Sequence, residues 1–411
     1  MIKQDALWRK VTYKLYPTVK QAALLNNLLR SHQQLYNAAL EERISAQRMQ
    51  RKLISYTDQC ASLTQIRREL PEWAIPNCSS QQMTLRRLDK AFKAFFQRVQ
   101  AGRSPGFPRF KSLSRFPGIS FKSHGDGWKF TPGQHWKHGS LRLSGIGQIA
   151  CRGRARDGGT ICACDVCYRR GEWFLSLTVE PRAIVRPRTA HEVIALDWGL
   201  NKLLTGINEQ GGVTEIDNPR LYQAWEGRIT ALRQAVSTKK RGSGNRKKAV
   251  RKLGDACAKM ARIRNNIQHQ LTSELARTHA LIAMEDLTVK NMTASAQGTA
   301  EQPGKNVAQK AGLNREIPDT APAALMQQLR RKVIETGGMW VIAPTKQLKP
   351  SQRCPRCGDV RKKTLSERVH ACPCGYTASR DVAAAQVVLN WALYEQPAGA
   401  ATRQELAAVR S

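Results

Sequence analysis

The stretch Val193-Ile194-Ala195-Leu196-Asp197-Trp198-Gly199 indicates the fold of the second half of the chain. Its four consecutive apolar residues predict a strand that is buried on both faces. A carboxylate follows at the end of this strand, and Gly199 then lets the chain turn sharply. Open α/β sheets place their ligands beyond the carboxyl ends of their strands, where Asp197 is expected to lie. The alternative is that Asp197 is only a turn residue that hydrogen-bonds to its own backbone.

Two later stretches also place a carboxylate at the end or the start of a predicted element. Residues 280–287 form an apolar run that leads into Glu285, and Asp381 lies in the first turn of a helix that Ser379 can cap. Three acidic side chains that meet at one sheet edge repel each other unless divalent cations neutralise them. Mg²⁺ prefers oxygen ligands, and two such ions about 4 Å apart promote phosphodiester hydrolysis. The alternative for Asp381 is a favourable interaction with the helix dipole alone.

The charge balance indicates a polyanionic partner. The chain has 411 residues, enough for two or three domains, and its 67 basic and 31 acidic residues give a net charge of +36. Such an excess favours nucleic acid as the partner. A basic membrane-surface protein would carry an amphipathic anchor or a lipidation signal, and the sequence has neither. The N-terminal residues lack the apolar core of a signal peptide, so a cytoplasmic protein is expected.

Four of the eleven cysteines form two close pairs. These are Cys354-Pro355-Arg356-Cys357-Gly358 and Cys372-Pro373-Cys374-Gly375. In a reducing compartment, such pairs favour metal ligation over disulfides, and this pattern predicts a structural Zn²⁺ ribbon with four thiolate ligands. The second pair is one residue shorter than the common Cys-x-x-Cys, which predicts a strained site. Four unliganded thiols are the alternative.

The first part of the chain predicts one strand followed by a helical block. Val11, Tyr13 and Leu15 alternate with polar residues and predict a half-buried strand. Thr18 and Gln21 have the spacing of a capping box, and apolar residues recur at helical spacing over residues 18–118. The basic faces of these helices suit either solvent or a phosphate backbone.

Strand patterns return over residues 119–190, and the first strand is expected to join this sheet. Arg169-Arg170-Gly171-Glu172 is a predicted hairpin turn. Cys162 and Cys164 are expected on one strand face and Cys167 on the other, as buried thiols rather than metal ligands.

The second half alternates strands with long helices. Helical patterns surround Trp225 and Ile267, and the Lys- and Arg-rich stretch 239–248 between them is expected to be a solvated hinge or a phosphate-binding segment. Residues 291–318 are poor in large apolar side chains and predict a mobile loop. A short helix around Leu329 and a strand at 339–343 follow.

These motifs together resemble the TnpB family, the insertion-sequence-encoded RNA-guided DNA endonucleases related to type V CRISPR effectors. The resemblance covers nearly the whole chain. It rests on Gly106-Phe107-Pro108-Arg109-Phe110, Leu196-Asp197-Trp198-Gly199, Met284-Glu285-Asp286-Leu287, both cysteine pairs and Ser379-Arg380-Asp381. The segment 314–329 departs from the family pattern, since it carries Pro318 and Pro322 and lacks an expected aromatic residue.

The resemblance implies a multidomain α+β protein that binds a guide RNA and cuts matching target DNA beside a short motif. The implied domains are a wedge β-barrel (1–17 and 119–190), a recognition helical bundle (18–118), an RNase H-like RuvC nuclease domain (191–345 and 376–411) and a zinc ribbon that binds target nucleic acid (346–375). By the family pattern, Asp197, Glu285 and Asp381 are the catalytic acids and bind two Mg²⁺ ions, or Mn²⁺. Cys354, Cys357, Cys372 and Cys374 are the Zn²⁺ ligands. The basic residues expected to contact nucleic acid are Arg86, Arg87, Arg109, Lys239, Lys240, Arg241, Arg246, Lys247 and Lys248.

Three other functions are compatible with parts of this pattern. A nuclease-inactive RNA-guided DNA-binding regulator would be expected to lack one of the three acids, and this chain has all of them. An accessory transposase would join DNA ends without RNA. A plain zinc-ribbon nucleic-acid-binding protein would leave Glu285 and Asp381 without a role.

Overall fold

A computed structural model of the chain describes residues 8–154, 158–181, 192–298, 302–364 and 367–395. The chain divides into two compact units, Met1–Arg182 and Ala183–Ser411, and each contains its own main sheet. The outermost parts of the predicted wedge and nuclease segments, 1–7, 182–191 and 396–411, lie outside the described residues. Within the described ranges, every helix is too short or too polar to cross a membrane.

The first unit is built on a seven-stranded antiparallel sheet. Its strands are β1 (Arg9–Tyr16), β2 (Ile119–Phe121), β3 (Trp128–Pro132), β4 (Lys137–Leu143), β5 (Gly147–Arg154), β6 (Gly159–Arg169) and β7 (Glu172–Pro181). They lie in the order β2-β6-β7-β1-β5-β4-β3, so the first strand of the chain does join the later ones, as predicted. The edge strands β2 and β3 do not pair with each other within the described residues. The sheet is therefore a half-barrel, and the predicted barrel is not closed by hydrogen bonds.

The turn between β6 and β7 confirms one prediction, and a bulge in β6 corrects another. Arg169 pairs with Glu172 across the turn, where the φ angles of Arg170 and Gly171 are 55° and 84°. The register then shifts between Ile161 and Ala163, so Cys162 is an extra residue in the strand. Ile161, and not Cys162, therefore packs against the same core as Cys164.

The helical block lies between β1 and β2 in the chain. It consists of α1 (Val19–Gln50), α2 (Tyr56–Glu69), α3 (Pro71–Ala74) and α4 (Cys78–Gln100). The predicted capping box begins α1, because the Thr18 hydroxyl accepts from the Gln21 amide and the Gln21 side chain accepts from the Thr18 amide. Leu25 and Leu40 of α1 and Leu88 of α4 are fully buried in one core with the sheet.

The second unit contains a five-stranded mixed sheet. Its strands are β8 (Glu192–Trp198), β9 (Lys202–Asn208), β10 (Val213–Asp217), β11 (His279–Glu285) and β12 (Met339–Ala343), in the order β10-β9-β8-β11-β12. The first three strands form an antiparallel meander, whereas β11 lies parallel to both β8 and β12. The carboxyl ends of β8, β11 and β12 therefore meet at one edge.

Helices cover both faces of this sheet. They are α5 (Leu221–Ser237), α6 (Gly244–Thr278), α7 (Val289–Met292), α8 (Val307–Thr320), α9 (Pro322–Glu335), α10 (Thr345–Leu348) and α11 (Arg380–Asn390), which continues as a π-helical turn, Trp391–Glu395. One face packs against α6, α8 and α9, and the other packs against α11. The continuous apolar runs of β8 and β11 follow from this double coverage.

Helix α8 corrects the second part, residues 307–318, of the mobile loop predicted over residues 291–318. The segment has few large apolar residues, but Ile317 is buried and Leu313 packs against the same core. Pro318 lies in the last turn of α8, and the chain leaves the helix at Ala321 with a φ of 44°. Polar contacts add to these apolar ones, since Lys310 donates to the carbonyl of Met292 and Arg264 donates to those of Pro318 and Asp319.

Candidate active site and cysteine cluster

Asp197 and Glu285 end two neighbouring parallel strands in the same register. Leu196 of β8 pairs with Met284 of β11, so Asp197 and Glu285 follow as the next pair along the two strands. Adjacent strands lie about 4.8 Å apart. The backbones that carry these two carboxylates are therefore neighbours at the edge of the sheet.

The two carboxylates lie on the face of the sheet that α11 covers. Side chains alternate along a strand, so Asp197 shares its face with Ala195, and Glu285 shares its face with Ala283. Both alanines are buried in the core that also contains Ala385 and other residues of α11. Helix α11 begins beside this edge and carries Asp381 in its first turn.

The start of α11 is fixed by a side-chain cap. The Ser379 hydroxyl accepts a hydrogen bond from the Val382 amide, as predicted. Ser379 is also the last residue of β14 (Thr377–Ser379), which pairs with β13 (Val369–Ala371). Asp381 is thus held between a paired strand and a packed helix.

The electrostatics indicate that the three acids share one environment. Burial raises the pKa of Asp197 well above its usual range, and the charges of Glu285 and Asp381 raise it further, whereas Arg380 acts in the opposite direction. Burial also raises the pKa of Glu285 to about 7, and a hydrogen bond from Thr345 partly offsets this. A low-dielectric site opposes the ionisation of neighbouring carboxylates, and a bound cation would offset this cost. Oxygen donors of this kind fit Mg²⁺ or Mn²⁺.

The four predicted zinc ligands come together. The Sγ atoms of Cys354, Cys357, Cys372 and Cys374 all lie within 4.8 Å of one another. Two of the separations are 3.7 Å, from Cys354 to Cys374, and 3.5 Å, from Cys357 to Cys372. A tetrahedral Zn²⁺ with bonds of about 2.3 Å requires sulfur atoms about 3.8 Å apart. The four side chains therefore fit a zinc ion, and the shorter second pair does not prevent convergence.

The backbone of each cysteine pair turns as the glycines allow. Gly358 and Gly375 have φ angles of 79° and 87°, and their amides donate to the carbonyls of Cys354 and Cys372. Burial opposes ionisation of Cys354, but hydrogen bonds from the amides of Cys357 and Arg356 and from His370 outweigh it and lower the pKa of this thiol to about 6. A low thiol pKa favours the thiolate form that binds metal.

Three residues around these sites have effects on the site side chains that the sequence pattern did not predict. Arg380 and Thr345 act on the carboxylates, and His370, which is 3% exposed, acts on Cys354. The carbonyl oxygen of Asp286, 3.0 Å away, is an alternative acceptor for the single proton of the Thr345 hydroxyl. Arg380 was visible as the neighbour of Asp381, but the effects of Thr345 and His370 arise from contacts between segments that sequence spacing does not reveal.

The predicted nucleic-acid-binding residues differ in solvent exposure. Arg109, Lys240, Arg241, Lys247 and Lys248 are exposed. Arg86 is also exposed and lies over the ring of Tyr56. Lys239 is half-buried.

Two of the predicted contacts already bond within the protein. Arg87 donates to the carbonyl of Gly118 and the hydroxyl of Ser120. Arg246 donates to the carbonyls of Val236 and Lys239 and lies in the first turn of α6, so the stretch 239–248 is only partly a hinge. Nucleic-acid contact by any of the nine residues stays a prediction.

Three protein-family models match parts of the chain. They are "Probable transposase" over residues 176–296, "Cas12f1-like, TNB domain" over 323–388 and "Helix-turn-helix domain" over 8–52. The first range contains Asp197 and Glu285, and the second contains the four clustered cysteines and Asp381. The third range forms a strand and one continuous 32-residue helix here, so its name does not describe the observed geometry.

Known proteins resemble the chain over most of its length. A "Putative RNA-guided DNA endonuclease" of Streptomyces pristinaespiralis is 30% identical, and the match covers 97% of this chain and 92% of that protein. The "Putative RNA-guided DNA endonuclease InsQ" of Escherichia coli K12 is 29% identical over 92% of this chain and 90% of its own length. The solved structure of the mini-RNA-guided endonuclease CRISPR-Cas phi3 has a TM-score of 0.54 at 9% identity and covers 96% of this chain and 94% of that one. This last similarity concerns the fold alone.

Proposed function

Because this chain belongs to the TnpB family, the IS605-type OrfB transposases that include RNA-guided DNA endonucleases, we propose that it binds a guide RNA and cuts matching DNA beside a short motif. The net charge of +36 supports this function, since both partners are polyanions.

The sheet topology supports the assignment of the nuclease domain to the second unit of the chain. The sheet order β10-β9-β8-β11-β12, with an antiparallel meander followed by two parallel strands, is the order expected of an RNase H-like nuclease domain. We assign residues 191–345 and 376–411 to this RuvC-type domain and 346–375 to the zinc ribbon. We assign residues 1–17 and 119–190 to the wedge and 18–118 to the recognition bundle.

The observation that carries the proposal is the placement of Asp197, Glu285 and Asp381 along one edge of the sheet. Two of these carboxylates are in register on rigid strands, and the third lies in the first turn of the helix that packs on the same face. The charges of Glu285 and Asp381 both raise the pKa of Asp197, which supports their placement beside it. We assign all three as catalytic residues that hold two Mg²⁺ ions.

The residues around the acids hold the catalytic arrangement in place. Divalent cations bound there would supply charge neutralisation and water activation for hydrolysis of the phosphodiester bond. The strands fix the spacing of Asp197 and Glu285, and the capped start of α11 orients Asp381. The positive charge of Arg380 favours the ionised form of Asp197, which is the form that binds a cation. The four cysteines would hold Zn²⁺ in a structural role.

Cleavage of a defined DNA target tests this proposal. The chain is purified with its copurifying RNA, the RNA is sequenced, and DNA with the matching target and a randomised flank is incubated with Mg²⁺. Asp197→Asn and Glu285→Gln are each expected to slow cleavage roughly a hundredfold or more. Asp217→Asn is the matched control, because this exposed acid ends the edge strand of the same sheet. It should cut like the wild type.

Each other outcome points to a different function. Wild-type rates in Asp197→Asn would remove the proposed active site. Tight guided binding without cleavage in Mg²⁺ or Mn²⁺ would indicate a nuclease-inactive regulator. Joining of DNA ends in the absence of RNA would indicate a transposase.

A further inference from the structure

Residues 90–118 have an unusual composition. This segment contains six of the nine phenylalanines of the chain, at positions 92, 95, 96, 107, 110 and 116. It also contains seven basic residues, at positions 90, 93, 98, 103, 109, 111 and 115, and no Asp or Glu. Neither the proposed active site nor the cysteine cluster uses any of them.

Four of these phenylalanines, at positions 92, 95, 96 and 107, form a cluster at the end of α4. The ring of Phe107 lies edge-on to Phe92 and Phe95, with centroids 5.6 and 5.2 Å away, and Phe95 contacts Phe96 at 5.1 Å. Such edge-to-face contacts are the preferred geometry of aromatic pairs. The loop that follows α4 is therefore folded back onto the helix through Phe107.

Polar contacts hold the same loop in place on both sides of Phe110. Arg98 donates to the carbonyl of Gly106 at 3.2 Å, where the φ of 59° suits glycine. Asn37 of α1 donates to the carbonyl of Lys111 and accepts from its amide, at 3.0 and 2.9 Å. The segment from Gly106 to Lys111 is thus held at both ends. The loop therefore loses less conformational entropy when a partner binds.

The cluster nevertheless exposes a large aromatic area. Phe96 and Phe107 of the cluster are 46% and 47% exposed, and Phe110, in the loop tied at Gly106 and Lys111, is 53% exposed. Exposed Arg103 and Arg109 lie in the same loop. The carboxylate that precedes the segment, Asp89, is only 16% exposed and is paired with Lys93 and Arg43. We call the surface formed by Phe96, Phe107, Phe110, Arg103 and Arg109 the phenylalanine platform.

We propose that the phenylalanine platform stacks unpaired bases of the guide RNA, an inference that rests on the function proposed above. Aromatic rings beside basic side chains are the combination that binds single-stranded nucleic acid, because every base has a face that can stack and every nucleotide has a phosphate. A neutral protein partner would not require a segment with seven basic residues and no acid.

The resident RNA suits this surface better than the DNA strand displaced during cleavage. Exposed aromatic area of this kind is an aggregation liability unless a partner covers it. A guide RNA stays bound between reactions, whereas displaced DNA is present only during one. Single-stranded loops and ends of RNA are also commonly recognised by stacking on phenylalanine.

The first test measures RNA affinity in the full-length chain. The probe is a labelled oligouridylate of about 16 nucleotides, close to one single-strand site size. Phe110→Ala is expected to weaken binding by roughly 5- to 150-fold, as for loss of one stacked base. Phe110→Trp should retain affinity, and Phe110→Leu should lose it. Tyr394→Ala, an exposed aromatic residue of the second unit, is the matched control and should bind like the wild type.

The salt dependence separates stacking from charge. Arg109→Ala is expected to lower the slope of log affinity against log salt by about 0.7, whereas Phe110→Ala should leave that slope unchanged. Equal slopes for Arg109→Ala and the wild type, together with unchanged affinity in Phe110→Ala, would overturn the inference. Cleavage by the same variants at the wild-type rate would leave the proposed function standing.

The second test identifies the source of the nucleotides. Ultraviolet irradiation of the copurified ribonucleoprotein should crosslink RNA to the peptide that contains Phe107 before any DNA is added. A crosslink that forms only after target DNA is added would overturn the assignment to RNA. A wild-type chain that carries no RNA and cuts no DNA would overturn the proposed function itself, and this inference with it.

Discussion

Replacement of Glu285 by Gln is expected to stabilise the metal-free protein, and to do so increasingly as the pH rises. The burial of Glu285 raises its pKa from 4.5 to about 7 in the folded chain. Below pH 4.5 the carboxyl is protonated in both the folded and the unfolded chain, so its ionisation does not affect stability. Between pH 4.5 and 7 the unfolded chain ionises first, which favours unfolding. Above pH 7 this loss of stability is complete.

The size of the effect follows from the shift. A shift of about 2.5 pKa units at about 1.4 kcal/mol per unit gives about 3 kcal/mol at pH 8 and about 1 kcal/mol at pH 5. The stability advantage of Glu285→Gln over the wild type should therefore grow by about 2 kcal/mol between these two pH values. For a domain of this size, that corresponds to roughly 4–8 °C in Tm.

Calorimetry in Mg²⁺-free buffer, with zinc retained, measures this difference directly. Saturating Mg²⁺ should stabilise the wild type at pH 8, because the cation offsets the cost of the buried Glu285 charge. It should leave Glu285→Gln nearly unchanged, because that variant lacks the charge. Glu274→Gln, on the exposed face of α6, is the matched control and should show a constant offset from pH 5 to 8. The reasoning is refuted if the Tm difference between Glu285→Gln and the wild type does not change with pH.

Four further predictions follow from the structure. Ser379→Ala should lower stability by about 1 kcal/mol through loss of the α11 cap and weaken Mg²⁺ binding in titration calorimetry, whereas unchanged Mg²⁺ affinity would show that the cap does not position Asp381. Cys374→Ser should reduce the zinc content measured by mass spectrometry, and a full zinc complement would contradict the assigned ligand set. His370→Ala should speed zinc release to a colorimetric chelator roughly 10- to 100-fold, and equal rates would exclude a role for the imidazole. Gly206→Ala should lower stability by about 1–3 kcal/mol in denaturant titration, because a Cβ there would lie 2.7 Å from Ile194, and an unchanged midpoint would mean that the site can relax.

The sequence predicted the elements of the fold better than their connections. Buried runs such as 193–196 can only be strands or core helices, and the polar residues that follow them mark where they end. Register is different, because it depends on which segments meet. Nothing in the order of residues places Leu196 opposite Met284, or inserts a bulge at Cys162. The family resemblance, not the spacing, connected the three acids.

The sequence pattern also failed to predict secondary structure in a segment that has few apolar side chains. The segment before Ile317 was predicted to be a loop because its apolar residues are sparse, yet α8 forms on a few apolar contacts and on hydrogen bonds to other segments. Likewise, the cysteine spacing predicted the ligands but not His370, whose effect on Cys354 requires two distant segments to pack together. Roles that arise from tertiary contacts alone leave no local pattern to detect.

The cysteine module and the helix that carries Asp381 share a residue. Ser379 ends β14 and caps α11, and the next residue, Arg380, donates its backbone amide to the carbonyl of Arg368 and its side chain to that of Thr364. No residue separates β14 from α11, so the backbone of this strand leads directly into the turn that carries Asp381. If the cysteine ribbon binds nucleic acid as proposed, this direct connection would link that binding to the position of Asp381.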